Sequence, residues 1–139
     1  RPTPLIHPDA PPMLFHFSDG KTLAAFHHNR HSNRKYEGLN TSPQVMKDRS
    51  EIWVAFSGDG GRSWSEPRFV FANAAEANLA NAFRNYQCSY LDAILDGGMV
   101  HLFVPHRWQR VLHLRIKEEE LRRLPTEREL FPGSRVSTP

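Results

Sequence analysis

An all-β fold of antiparallel strands is predicted by three features of the sequence. Apolar runs of strand length, rich in aromatic and β-branched residues, recur along the 139 residues, among them Ile52-Trp53-Val54-Ala55-Phe56 and Phe69-Val70-Phe71. Tight-turn signals separate them: Ser18-Asp19-Gly20-Lys21, Ser57-Gly58-Asp59-Gly60-Gly61, and Asp96-Gly97-Gly98. There is also an internal repeat, since placing Asp19 on Asp96, an offset of 77, sets Leu23 on Val100, Ala25 on Leu102, Phe26 on Phe103 and Arg30 on Arg107.

Taken in order, residues 1–12 are rich in proline and read as an extended arm. Strands follow over Met13 to Phe17 and Thr22 to His28, joined as a hairpin. Their nearly continuous apolar character predicts a sheet buried on both faces. The polar stretch 29–50 reads as a long loop, of the kind that tends to be functional or disordered. A third strand over Glu51 to Phe56 and a fourth over Arg68 to Phe71 flank the turn that begins at Ser57, completing a unit over 13–71.

The second unit, 72–117, opens with an Ala- and Asn-rich segment that accommodates a short helix. It continues with strands over Cys88 to Leu95, Met99 to Val104 and Val111 to Lys117, without a fourth. Residues 118–139 read as a short surface helix, paired Glu118 to Arg122 and Glu119 to Arg123, and a polar tail with little fixed structure.

Composition narrows the function classes. The net charge of +3 without a dense basic run favours a small anionic ligand over nucleic acid, and no apolar run is long enough to span a membrane as a helix. The single cysteine, Cys88, excludes an internal disulfide and reads as a buried small hydrophobe. Adjacent strand residues His27 and His28 point to opposite faces, so at most one could join His31. With no cysteine cluster or paired carboxylate beside them, no metal or cofactor is expected.

Because strand direction alternates, the tight turns share one end of the sheets. The other end gathers His27 to Arg30, Arg49, Glu51, Arg84 to Gln87 and His106 to Arg110. Polar, cationic and aromatic groups concentrated at one mouth suit a pocket for a polar anion, arginine offering a planar two-bond grip on a carboxylate. Trp108, between Arg107 and Arg110, is placed to stack on a sugar ring or to be buried between strand ends.

The turn Ser57-x-Asp59-x-Gly61-x-x-Trp64 between two strands resembles the Asp-box of sialidase-like β-propellers, with all four signature positions matched. The resemblance covers residues 13–117 and implies the last two blades of a six-bladed propeller. The missing blades would come from a longer chain, as the opening on Arg1 rather than Met would fit, or from identical copies, three of which would close a ring. It implies an exo-glycosidase for sialic acid or a related acidic sugar, or alternatively a non-catalytic carbohydrate-binding or interaction module. The candidates it suggests are Arg30, Arg49, Arg84 and Arg107 as a carboxylate clamp, with Gln87 and Trp108 also binding substrate. Tyr86 or Tyr90 would be the nucleophile and Glu51 its partner. The family's acid/base aspartate belongs to an early blade, and Asp48 and Asp92 do not match it. A secreted or periplasmic location follows from the resemblance alone.

Overall fold

A computed structural model describes residues 3, 5, 11–28, 49, 51–72, 88, 90–106, 110–130 and 132. Among them the chain is mostly antiparallel β, arranged as two sheets. The first sheet is a meander of β1 (Met13–His16), β2 (Leu23–His28), β3 (Glu51–Ser57) and β4 (Arg68–Ala72), paired in that order. The second sheet pairs β5 (Asp92–Asp96), β6 (Met99–His106) and β7 (Arg110–Lys117). Two short helices follow, α1 (Glu118–Leu121) and α2 (Glu127–Leu130).

The core lies where one face of each sheet meets the other. Register places Phe26 opposite Val54 and His28 opposite Ile52, so Ala24, Phe26, Ile52 and Val54 share the inner face of the first sheet. Val100, Leu102 and Val104 alternate onto the inner face of the second, and Phe17, Cys88 and Leu121 complete the same cluster. Each large side chain taken fully from water here contributes about 1.5–3 kcal/mol.

The outer face of β2 and β3 is buried as well: Ala25, His27, Trp53 and Ala55 are all 2 % exposed or less. The expectation of burial on both faces thus holds for β2 and β3. It fails for edge strand β1, where Leu14 is 58 % exposed. A β-bulge in the β3–β4 pairing explains how three consecutive apolar residues of β4 serve two faces. Phe71 opposes Ile52 on the inner side while Phe69 opposes Trp53 on the outer side, with ring centroids 5.2 Å apart edge to face.

Several expected boundaries shift. The strand expected from Cys88 begins only at Asp92, because Cys88 donates its backbone N–H to the Arg49 carbonyl (2.8 Å) and Tyr90 turns the chain at φ 62°. The polar link expected from Pro105 is shorter, since Pro105 and His106 still pair with Val111 and Arg110. The tail is not all without structure: Thr126 opens α2, and the Glu129 carboxylate accepts from its amide (2.7 Å) and hydroxyl (3.0 Å). These bonds, backbone first, hold the Glu129 carboxyl below its ordinary pKa. Just ahead of this helix, Pro125 accepts from the Phe69 amide at 2.8 Å and Thr126 bridges Arg68, which covers the edge of β4.

The expected Glu118–Arg122 pair is replaced by contacts with the first hairpin. Arg122, the C-cap of α1, reaches the first hairpin, donating to Thr22 Oγ1 (2.9 Å) and Asp19 (3.4 Å). Its guanidinium lies 4.9 Å from the Phe17 ring centroid. Glu118 likewise turns to Ser18, accepting from its amide at 2.7 Å and its hydroxyl at 2.5 Å. The loop expected over 29–50, apart from Arg49, and the helix expected within 72–87, apart from Ala72, lie outside the described residues.

Candidate functional site

The turn beginning at Ser57 is built by its own side chains. Ser57 Oγ accepts from the Gly61 amide (2.8 Å) and donates to Asp59 Oδ1 (2.8 Å). The Asp59 carboxylate then accepts from the Arg62 and Ser63 amides, both at 2.9 Å, and from Ser63 Oγ at 2.6 Å. These bonds, the Ser63 hydroxyl first, hold the Asp59 carboxyl well below the usual carboxylate range. Gly61 sits at φ 84°, a conformation open to glycine, and a Cβ there would lie 3.6 Å from the Trp64 indole, which folds over the loop. Ser57, Asp59, Gly61 and Trp64 thus belong to one turn closed by its own side chains.

A second aspartate turn stands at the same end of the first sheet. Asp19 Oδ1 accepts from the Lys21 amide (2.8 Å) and the Thr22 amide (2.7 Å), and Oδ2 from the Thr22 hydroxyl (2.7 Å). The Thr22 amide and hydroxyl, then the Lys21 amide, bring the Asp19 pKa down to about 2. At the repeat offset of 77, Thr22 falls on Met99, which has no hydroxyl to give Asp96.

The opposite end is the mouth. His28 closes β2 and Glu51 opens β3, and the His28 ring nitrogen Nδ1 lies 3.1 Å from the Glu51 carbonyl. The carbonyl of Arg49 accepts from the Cys88 amide and from Cys88 Sγ (3.0 Å), tying the approach to β3 to the approach to β5. Cys88 is fully buried, as expected of a small hydrophobe. This tie sets the Arg49 guanidinium against Tyr90: Nη1 donates to the phenol oxygen at 3.4 Å, and the guanidinium carbon stands 5.5 Å from the ring centroid. Tyr90 is 55 % exposed and adopts a left-handed backbone conformation that bulky residues rarely occupy, a strain of order 1–3 kcal/mol.

Among the sequence-derived candidates, Arg49 and Tyr90 are thus brought together. Glu51 Oε2 accepts from Trp53 Nε1 at 2.9 Å on the outer side of the first sheet. Arg30, Arg84, Tyr86, Gln87, Arg107 and Trp108 lie outside the described residues. Of the groups expected between β6 and β7, Arg110 is placed at the mouth, with Nε 3.3 Å from His106 Nδ1.

Two histidines that sequence reasoning passed over come together on the outer face of the second sheet. His101 Nδ1 and His113 Nε2 are 2.9 Å apart, and Phe103 stacks on the His113 ring at 4.7 Å. The signal that could have found them is the β6–β7 hairpin register, which sets residues 101 and 113 on one face and diagonally adjacent.

No protein-family model matches the chain, and no curated protein or solved structure matches it.

Proposed function

We propose that the chain is the C-terminal part of a six-bladed, sialidase-like β-propeller, an exo-glycosidase that takes a terminal sialic acid or related acidic sugar at the mouth opposite the Asp59 turn. The remaining blades come from a longer chain or from identical copies. Two antiparallel meanders and an Asp-box turn with its full set of internal bonds support the fold part of this reading.

The observation that carries the functional part is Tyr90, held in a strained left-handed conformation with its phenol oxygen on the Arg49 guanidinium. Arg49, with Arg30, Arg84 and Arg107, grips the sugar carboxylate, while the phenol oxygen attacks the anomeric carbon as the glycosidic bond breaks, the aglycone leaving as its alcohol with the phenol's proton. Water then hydrolyses the glycosyl–tyrosine, releasing the sugar and restoring the phenol. Turnover of a fluorogenic sialoside by the full chain is the test. Tyr90→Phe is expected to abolish turnover while sialic acid still binds, and Arg49→Ala to weaken binding. Unchanged turnover in Tyr90→Phe overturns the assignment of Tyr90.

One observation favours a second reading, a non-catalytic carbohydrate-binding module. Tyr90 is 55 % exposed with the Arg49 guanidinium against its ring and phenol oxygen, an aromatic face and a cation that together suit holding an acidic sugar without covalent chemistry. Binding of the sugar by the parent protein without any turnover selects this reading.

A further inference from the structure

We propose that the edge of β7 takes an extended acidic peptide of a partner protein as a fourth strand of the second sheet. The two sheets differ at this edge. In the first, the edge of β4 is closed by Pro125 and Thr126, with the Phe69 amide donating to the Pro125 carbonyl at 2.8 Å. In the second, nothing among the described residues pairs with the side of β7 turned away from β6. Alternate residues of an edge strand direct both amide and carbonyl outward, so β7 offers an incoming strand a row of backbone donors and acceptors.

The strand is also long and regular enough to serve as a template. It has eight residues, against four in β1 and five in β5. It contains no proline, and its register with β6 runs unbroken from Met99–Lys117 to His106–Arg110, so two of the devices that blunt sheet edges are missing from it. Its inward row, Leu112, Leu114 and Ile116, packs against the core but is only partly buried, whereas Val100, Leu102 and Val104 beside it in β6 are 1 % exposed or less. A strand laid along β7 covers that row.

Charge selects the occupant. Between residues 110 and 117 the strand holds Arg110, Arg115 and Lys117 and no acidic residue, and Arg115 and Lys117 stand in its exposed outward row. The acidic residues that follow belong to α1, and Glu118 among them is turned to Ser18. A second copy of β7 would bring the same cations to the joint, like against like. A peptide with Glu or Asp at every second position instead sets its carboxylates beside Arg115 and Lys117, while apolar residues at the alternate positions extend the inward row. The joint uses only the β7 edge, so its test is separate from that of the sugar site.

Fluorescence anisotropy of the full chain with a labelled eight-residue peptide of alternating glutamate and valine tests the proposal. A lysine–valine peptide of the same pattern and the glutamate peptide N-methylated at every amide serve as controls. The expected result is binding of the unmethylated glutamate peptide alone, weakened by salt, with new amide-exchange protection at alternate residues of β7. Arg115→Glu combined with Lys117→Glu, both at exposed positions, should weaken that binding about tenfold and admit the lysine peptide. Absence of binding by the glutamate peptide overturns the proposal, as does equal binding of the lysine or methylated peptide, or binding indifferent to the charge reversal. A dimer that protects the β7 amides without peptide assigns the edge to a second copy and likewise overturns it.

Discussion

The two sheets pack on one core but are built by different rules. In the first, β2 and β3 are buried on both faces, and their sequences, Leu-Ala-Ala-Phe-His-His and Ile-Trp-Val-Ala-Phe, do not alternate. In the second, β5 reads Asp-Ala-Ile-Leu-Asp and β7 reads Arg-Val-Leu-His-Leu-Arg-Ile-Lys, and every other residue faces out. Ile94 and Val111 on that outer face are 58 % and 63 % exposed. The difference shows where substitution is tolerated: the outer face of β2 and β3 behaves as core, whereas that of the second sheet behaves as surface.

Trp53→Ala is the sharpest way to break this contrast. Trp53 belongs to an outer face yet is fully buried beside Phe69 and bonded to Glu51, so its loss should cost about 3–5 kcal/mol in urea unfolding. A cost typical of a surface position would remove the distinction between the sheets. Asp59→Asn tests the turn of the first sheet. Because the folded carboxyl of Asp59 lies below its ordinary pKa, the stability it adds is present above about pH 4 and is lost at lower pH as the folded carboxyl takes up its proton. Asp19 adds a similar contribution, lost as pH falls through about 2. The urea midpoint of Asp59→Asn should fall below that of the parent at pH 6, and the gap should narrow at pH 2, while Asp96→Asn in the second sheet changes neither. The smallest effect is expected for Ile94→Ala, within about 0.5 kcal/mol of the parent.

The difference between the sheets was partly legible in the sequence. Continuous apolar runs announced burial on two faces, and Ser57, Asp59, Gly61 and Trp64 announced their turn, because both signals are local and depend on residues within a few positions of one another. The β4 bulge was not legible, since Phe69-Val70-Phe71 is compatible with either face until its pairing with Ile52 and Trp53 is known. The topology of alternating strands put Arg49 at the mouth, whereas Tyr90 was expected within a strand from Cys88 and was a candidate only through the family resemblance. The bond between them depends on a contact across 41 positions that no local pattern encodes. The same limit explains why Glu118 and Arg122 read as a solvated helix: their partners, Ser18, Asp19 and Thr22, are about a hundred positions away.

That last contact bears on how the chain folds. The segment following the final strand is stitched to the turn of the first hairpin, and Leu121 enters the common core, so neither sheet can finish packing until almost all of the described chain is in place. Contacts of such long sequence separation carry a large loop-closure cost before they return any stabilisation, which places folding on the slow side for a chain of this size. Once closed, the clasp opposes independent fraying of either sheet, so amide exchange in β2 and in β6 should report a single cooperative opening.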